Sequence, residues 1–186
     1  GLMPRLVAER GDAVPVLGEI FRKYGYDGAS IGLIVQETGL GRSSLYHFFP
    51  GGKEEMARAV LEHVDSWFEE NIFTPLETGD PDTALAHMYS EVASYFRSGR
   101  RICIVGAFAL DAVRHPFARE IEGYFTRWIA ALERCLLRRG LTGRRAAAAA
   151  PQIVALIQGA IVLSRATADP GHFSAALDAA AELGKA

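Results

Sequence analysis

Apolar side chains recur at helical spacing along almost the whole chain, and no stretch alternates polar and apolar residues long enough to form a sheet. This periodicity predicts an all-α fold. In the N-terminal part it predicts three short helices, which begin near Asp12, Ser30 and Arg42. The apolar positions expected to form their common core are Leu17, Ile20, Phe21, Ile34, Leu45 and Phe48.

Longer helices are predicted in the rest of the chain. The first begins at Lys53 and ends near Phe73, with Glu54 and Glu55 close to the positive end of its dipole. Thr74-Pro75 and the residues around Gly79 are predicted to be loops. The other predicted helices cover residues 81–97, 102–114, 116–139, 144–168 and a segment that follows residue 170.

A glycine between two of the short helices marks a sharp turn. Gly39 can adopt backbone conformations that are closed to residues with a Cβ, and Leu40 and Leu45 can fix the third helix across the second. This arrangement is typical of a helix-turn-helix. The outward side chains of the third helix, all able to bond phosphate oxygens or base edges, are Arg42, Ser43, Ser44, Tyr46 and His47. Residues 38–53 carry two basic side chains and no acidic one, so the local charge favours DNA.

The overall composition excludes several classes of protein. With a formal net charge of −2 and 23% charged residues, the chain is neither a disordered polymer nor a uniformly basic nucleic-acid coat. Cys103 and Cys135 are too few for a secreted disulfide framework or a four-cysteine zinc site. Residues 1–11 contain three charged side chains and lack the apolar stretch of a secretory signal. We therefore expect reduced thiols and a cytoplasmic location.

One segment, residues 146–163, is nearly uncharged and is flanked by arginines. Its apolarity is largely alanine and it contains Pro151, Gln152 and Gln158, whereas a bilayer core requires about 20 strongly apolar residues. We expect a helix buried in the protein or in an oligomer interface, and no membrane span.

Enzyme chemistry has little support in the sequence. His63 and His87 lack cysteine or carboxylate partners at helical ligand spacing, and no glycine-rich phosphate loop or serine elbow occurs. We therefore expect no catalytic, metal or cofactor site. Two alternatives from other classes stay open: a small all-α ligand-binding protein or enzyme with a non-functional DNA-binding end, and a pure interaction module.

Residues 12–64 contain a combined pattern of motifs: Ile20-Phe21, Gly25-Tyr26, Ser30-Ile31, Ile34, Gly39, Leu45-Tyr46-His47, Phe49 and Lys53-Glu54. Through this pattern the chain resembles the TetR family of bacterial transcriptional repressors. The link from Phe48 to Lys53 is similar to that of the LmrA and YxaF branch. The resemblance implies a three-helix helix-turn-helix DNA-binding domain over residues 1–53. It also implies a helical domain over residues 54–186 that binds an effector and dimerises through its last two long helices.

The same resemblance implies roles for individual side chains. Tyr46 and Lys53 would hold phosphates, and Ser30 would contact the DNA backbone at a helix N-terminus. The side chains implied to face the bases are Arg42, Ser43, Ser44 and His47. The implied function is a homodimeric repressor of double-stranded operator DNA that a small molecule releases.

Aromatic residues are frequent in the C-terminal part, where the resemblance places the effector. We expect a pocket that takes a flat or bulky apolar molecule and leaves its orientation to one or two polar atoms. The predicted wall consists of Tyr95, Phe108, Phe125 and Trp128, and the predicted polar contacts are Gln158 and Cys103. The alanine-rich segment 146–163 is expected at the dimer interface.

Overall fold

The computed structural model describes residue 7 and residues 9–186, with the side chains of residues 113–115 outside the description. The absence of a secretory signal was predicted from residues 1–11, and of these, residues 1–6 and 8 lie outside the described part of the chain. The described part of the chain is helical without any strand, which confirms the all-α prediction.

The α-helices of the described residues are α1 (Arg10–Gly28), α2 (Ile31–Thr38), α3 (Arg42–Phe48), α4 (Gly52–Phe68), α5 (Thr74–Thr78), α6 (Pro81–Tyr95), α7 (Ile104–Leu110), α8 (Ala118–Arg139), α9 (Gly143–Thr167) and α10 (Gly171–Leu183). A π-helical turn over Glu69–Phe73 joins α4 to α5. Two 3-10 turns cover Arg97–Gly99 and Ala112–Phe117. The predicted helix over 102–114 is therefore shorter and is followed by a separate turn.

The first helix begins earlier than predicted. Asp12 is not the cap residue: α1 starts at Arg10, and the Asp12 carboxylate accepts a hydrogen bond of 3.0 Å from the backbone N–H of Glu9. A carboxylate in the first turn satisfies one of the N–H groups that a helix start leaves unpaired. Gly25, predicted to end the helix, has φ 74° and interrupts its regular geometry.

The predicted loop at Thr74-Pro75 is wrong, because these residues open the short helix α5. Proline is accepted in the first turn of a helix, where its missing N–H has no intrahelical partner to lose. Leu76, which follows, is fully buried and holds α5 in the core. Pro75 therefore lies at the start of a helix, where the sequence pattern predicted a loop.

Two compact units divide the chain. The first comprises the residues up to Asp65 together with Ile104–Ile121, and the second comprises Ser66–Cys103 together with Glu122–Ala186. Packing thus does not divide the chain at residue 53, because most of α4 and a later segment belong to the first unit. The functional division into residues 1–53 and 54–186 stays a prediction.

The core of the first unit contains most of the expected residues. Leu17, Ile34 and Leu45 are fully buried, whereas Phe48 is only half-buried and its neighbour Phe49 fills the core instead. Four rings also pack together, with centroid separations of 5.7–6.4 Å. This Tyr26 ring cluster consists of Phe21, Tyr26, Phe108 and Phe117.

The core of the second unit is built around Phe68, which is fully buried. Its ring contacts the others of a group that we call the Phe68 ring cluster: Phe68, Phe73, Tyr95, Phe96, Tyr124 and Trp128. Helix α9 buries one face in this unit, including Ala146, Ile153 and Ile157. By length and composition α9 is also long and apolar enough to cross a membrane, a test that core helices of soluble proteins pass as well.

Candidate DNA-binding face and effector site

The turn between α2 and α3 is fixed by its own hydrogen bonds. The buried Thr38 hydroxyl donates to the carbonyl of Ile34 at 2.6 Å and accepts from the N–H of Leu40 at 3.2 Å. Gly39 has φ 72°, the left-handed conformation that glycine adopts without strain. Sequence reasoning identified the glycine but missed Thr38, whose hydroxyl ties the end of α2 to the first residue after the turn.

Helix α3 turns one apolar side chain inward and its polar side chains outward. Leu45 is fully buried and holds the helix on the unit. The exposed side chains are those predicted to face DNA: Arg42, Ser43, Ser44, Tyr46 and His47. Within the described residues none of these five side chains has a hydrogen-bond or ion-pair partner. A row of unengaged donors on one helix face suits phosphates and base edges.

The two residues predicted to hold the DNA backbone beside α3 are positioned by local contacts. The Ser30 hydroxyl accepts a hydrogen bond of 3.1 Å from Leu33 N–H at the start of α2, which leaves its own hydrogen as a donor. The Lys53 ammonium lies 4.3 Å from the ring centroid of Tyr26 and donates to the Tyr26 carbonyl at 2.9 Å. An ammonium has three N–H groups, so Lys53 keeps donors for a phosphate.

The link between α3 and α4 is held by contacts of Arg10 and Glu55 that were not predicted from the sequence. Arg10 Nε donates to the Phe48 carbonyl at 3.1 Å, and its guanidinium lies 4.6 Å from the ring centroid of Phe49. Glu55 accepts from the Gly51 N–H at 2.9 Å. Arg10 is distant in sequence from α3, so no local pattern connects them. Glu55 lies one helical turn after Gly51, a spacing that offered a signal.

A segment from later in the chain packs onto α4 in the first unit. Arg58 bonds the carboxylates of Glu54 and Glu120 and donates to the Pro116 carbonyl at 3.3 Å. Its guanidinium lies 5.2 Å from the ring centroid of Phe117. The segment 104–121 therefore contacts α4 through Arg58. Phe108 and Phe117 of the same segment pack against Tyr26, the residue that Lys53 contacts.

The structure groups only some of the predicted effector residues. Tyr95 and Trp128 both contact Phe68, at centroid separations of 5.0 and 5.5 Å. Phe125 is half-buried and pairs with Tyr124 at 4.9 Å. Phe108, in contrast, belongs to the Tyr26 ring cluster of the first unit. Phe68, which contacts both rings, was not among the residues predicted for the effector site.

The two predicted polar contacts differ in their surroundings. Gln158 is half-buried on α9, and its Nε2 is buried without a hydrogen-bond partner among the described residues. Cys103 is buried, with 5% of its surface exposed. Whether they contact a ligand stays a prediction. Within the described residues no three His, Cys, Asp or Glu side chains come together as a metal site.

Burial and hydrogen bonds shift a few ionisable groups. Burial, with the nearby carboxylates of Glu54 and Asp27, raises the pKa of Tyr26, so the ring under Lys53 is neutral at physiological pH. Hydrogen bonds from Arg127 lower the pKa of Glu69 in the π-helical turn. Burial raises the pKa of the Cys135 thiol, which is therefore protonated and unreactive at neutral pH.

An apolar groove runs between α9 and α10. Its volume is about 480 Å³, and its lining residues include Ala155, Leu156, Gly159, Leu163 and Ala176. Val162 and Leu163 on the same helix are 57% and 53% exposed. Exposed apolar surface of this kind is typical of an interface with another molecule.

Comparisons with known proteins agree with this geometry. The family model described as "Bacterial regulatory proteins, tetR family" matches residues 19–60. A second model, "Transcriptional regulator LmrA/YxaF-like, C-terminal domain", matches residues 81–181. The HTH-type regulator YxaF of Bacillus subtilis is 29% identical over 172 residues, which cover 88% of this chain and 90% of that protein.

Solved structures show the same fold. A TetR transcriptional regulator from Legionella pneumophila superposes with a TM-score of 0.83 at 17% identity, covering 96% of this chain and 98% of the other. A cysteine variant of the TetR-family regulator CifR, in complex with 26-bp double-strand operator DNA, has a TM-score of 0.74 at 21% identity. That superposition covers 95% of this chain and 97% of CifR.

Proposed function

The chain belongs to the TetR family of bacterial transcriptional regulators, in its LmrA/YxaF-like branch, and on this basis we propose that it is a homodimeric repressor whose operator DNA is released by a small apolar effector. The family consists of transcriptional regulators and not of enzymes. The observation that carries the proposal is the polar outer face of α3, held on the unit by Leu45 and by the Thr38–Gly39 turn.

The DNA contacts that we propose follow from the position of each side chain. Arg42, Ser43, Ser44 and His47 project from α3 and reach base edges in the major groove. Ser30, Tyr46 and Lys53 surround that helix face with donors for phosphate oxygens. Because few basic residues lie near the groove, binding depends on salt less steeply than in strongly basic proteins. Such a protein works in the cytoplasm, where the bacterial chromosome lies.

A dimer is proposed from the α9–α10 groove. A second copy seated on this face would cover Val162 and Leu163. A dimer carries two α3 helices, one for each half-site of an operator. Small residues in the groove, Ala155 and Gly159 among them, allow two helices to approach closely. Two-fold symmetry of the protein then predicts a pseudo-palindromic operator.

The effector site that we propose lies at the Phe68 ring cluster. Rings from α4, α6 and α8 meet there, and a flat apolar molecule gains contact with several of them at once. Gln158 Nε2, which has no hydrogen-bond partner in the described part of the chain, supplies a donor in the same unit. Release follows if the effector binds better to a form in which the two α3 helices are misplaced for adjacent major grooves.

One experiment tests the function directly. The full chain is incubated with a pool of random duplexes, bound sequences are selected, and the stoichiometry on the selected site is measured. We expect a pseudo-palindromic site that two chains occupy. Aromatic compounds are then titrated while DNA release and tryptophan fluorescence are followed in a Trp67→Phe background, which leaves Trp128 as the reporter. Weak binding without sequence preference or salt dependence contradicts the proposal and favours a ligand-binding protein.

A further inference from the structure

An arginine from the first turn of α1 lies at the C-terminal end of α3. Arg10 Nε donates to the carbonyl of Phe48, the last residue of α3, at 3.1 Å. A helix leaves its last carbonyls without intrahelical partners, and a cation near that end also interacts favourably with the helix dipole. Arg10 therefore satisfies one of these carbonyls and stabilises the end of α3.

The rest of the Arg10 guanidinium is engaged as well. Its central carbon lies 4.6 Å from the ring centroid of Phe49, which is fully buried, and Nη2 lies 3.8 Å from one carboxylate oxygen of Glu55. The other oxygen of Glu55 accepts from Gly51 N–H at 2.9 Å. We call this group of residues the Arg10 clamp: Arg10, Phe48, Phe49, Gly51 and Glu55. It joins the first turns of α1 and α4 to the end of α3.

The turn that carries Arg10 is ordered by its own hydrogen bonds. The backbone N–H of Glu9 donates to the Asp12 carboxylate at 3.0 Å, and the N–H of Asp12 donates to the Glu9 carbonyl at 3.1 Å. Bonds of this kind fix the first turn of a helix. Arg10 thus reaches α3 from a fixed point.

Helix α3 is short and is held at few points. It has seven residues, which makes it about 10 Å long, and Leu45 is its buried side chain. The α2–α3 turn fixes its N-terminal end. With these two attachments alone the helix would be free to tilt about Leu45, and the Arg10 contact at its C-terminal end removes that freedom. Side chains that read bases must be held within about 0.5 Å and 10–20° of their productive geometry.

We propose that Arg10 is a positioning residue for operator recognition, a role that rests on the function proposed above. It sets the tilt of α3 through the Phe48 carbonyl and thereby determines which base edges Arg42 and His47 reach, without touching DNA itself. The Arg10 and Glu55 side chains are 48% and 34% exposed, and ion pairs with such exposure contribute little to the stability of a fold. Loss of the clamp therefore affects recognition much more than folding.

The test compares the full chain with the variant Arg10→Gln on the selected operator and on random duplexes, at several salt concentrations. We expect the affinity for the operator to fall about tenfold, as for a mismatched base pair, and the affinity for random duplexes to change less than about twofold. The slope of log affinity against log salt concentration should stay unchanged. An equal loss on both duplexes, with a slope reduced by about 0.9, means that Arg10 binds a phosphate directly and overturns the proposal.

Three further variants make the result specific. Arg10→Lys keeps the charge but lacks the planar fork that reaches both Phe48 and Glu55, so it should lose specificity as Arg10→Gln does. Full operator affinity in Arg10→Lys overturns the proposal, because charge alone would then suffice. Glu55→Gln keeps an acceptor for Gly51 N–H but removes the charge beside Arg10, and it should show a smaller change of the same kind. Arg119→Gln, an exposed arginine of α8 in the same unit, should leave both affinities unchanged.

A measurement without DNA separates this inference from the proposed function. Amide hydrogen exchange is compared between the free parent chain and Arg10→Gln. The hydrogen-bonded amides of Phe49 and Gly51 should exchange several-fold faster in the variant, whereas the amide of Ile34 in α2 should keep its rate. If the parent chain selects no operator, the proposed function fails and this inference fails with it. If the parent selects an operator, and either the exchange rates or the specificity are unchanged in Arg10→Gln, this inference alone is overturned.

Discussion

At the scale of single residues, Lys53 shows how one side chain serves both the fold and the proposed DNA contact. Its ammonium lies over the ring of Tyr26 and donates to the carbonyl of the same residue at 2.9 Å. Both contacts keep the long side chain ordered, so less conformational entropy is lost when a phosphate binds. Tyr46, 44% exposed on α3, presents its hydroxyl without a partner among the described residues.

The first prediction concerns these two residues. Lys53→Ala and Tyr46→Phe should each weaken binding by about 1 kcal/mol or more, because each removes a donor to a phosphate. The loss should be equal for the selected operator and for random duplexes, since phosphates carry no sequence information. Gel-shift titrations measure both. Lys185→Ala, an exposed lysine in the second unit, is the matched control. Unchanged affinity in both variants contradicts the assignment.

The second prediction concerns pH and the Glu69–Arg127 pair. Arg127 donates to both carboxylate oxygens of Glu69, at 2.8 and 3.0 Å, and this holds the Glu69 pKa below its ordinary value of 4.5. The unfolded chain therefore binds the proton more tightly. The pair stabilises the fold fully above the ordinary pKa, and this stability is lost as the pH falls through the lowered pKa.

Glu69→Gln should accordingly reduce the free energy of unfolding at pH 7 by about 0.5–1 kcal/mol, a modest effect because the side chain is partly exposed. The difference from the parent chain should shrink as the pH approaches the lowered pKa. Urea denaturation over a pH series measures it, with Glu70→Gln, an exposed neighbour, as control. A difference that stays constant with pH shows that the ion pair is not its source.

At the scale of elements, the turn between α2 and α3 depends on backbone conformation and not on space. An added Cβ at Gly39 would meet no atom within 4 Å, but φ is 72°. At Gly32, inside α2, an added Cβ would meet only Ser30 Oγ at 3.9 Å, and the backbone is helical. Gly39 thus needs a residue that accepts a positive φ, whereas Gly32, less than two helical turns earlier, has the backbone conformation of an ordinary helical residue.

The third prediction uses this contrast. Gly39→Ala should lower the free energy of unfolding by about 1 kcal/mol, because a left-handed residue with a Cβ is strained. Gly32→Ala should raise it by up to about 1 kcal/mol, because alanine favours a helix over glycine. Chemical denaturation of the two variants is the measurement. Equal effects of the same sign show that the turn does not need its left-handed residue.

At the scale of the whole molecule, the proposed function requires two chains. Ala155 is exposed and lines the α9–α10 groove, whereas Ala160 is 3% exposed within a single chain. A charge at Ala160 would disrupt the fold of the chain itself. A charge at Ala155 leaves the single chain intact and is buried only if a second copy covers the groove.

The fourth prediction follows from that difference. Ala155→Asp should convert the dimer into monomers, because two carboxylates would be desolvated near the two-fold axis at a cost of several kcal/mol. Operator affinity should fall with it, since a monomer occupies only one half-site. Sedimentation velocity reports the oligomeric state, with Ala86→Asp on the exposed face of α6 as control. An intact dimer in the Ala155 variant means that another surface forms the interface.

The sequence by itself determined the helical class, the helix-turn-helix and the outward residues of α3. These features depend on spacing within one or two helical turns. Periodicity alone therefore predicts that Leu45 points inward and that the polar side chains of the same helix point outward: Arg42, Ser43, Ser44, Tyr46 and His47. Gly39 was identifiable for the same reason, because a turn glycine is a local signal. The family resemblance implied that Tyr46 and Lys53 bind phosphates, a role that composition and periodicity do not indicate.

Only the tertiary structure decided which distant segments pack together. It placed Phe108 with Phe21 and Tyr26, joined Arg58 to Glu120, and turned the predicted loop at Thr74 into helix α5. It also showed that Ala160 belongs to the core of its own chain and that the buried Ser164 hydroxyl has no hydrogen-bond partner among the described residues. Apolar spacing predicts that a residue is buried. It does not predict which residues pack against it, because the packing depends on contacts between residues far apart in the chain.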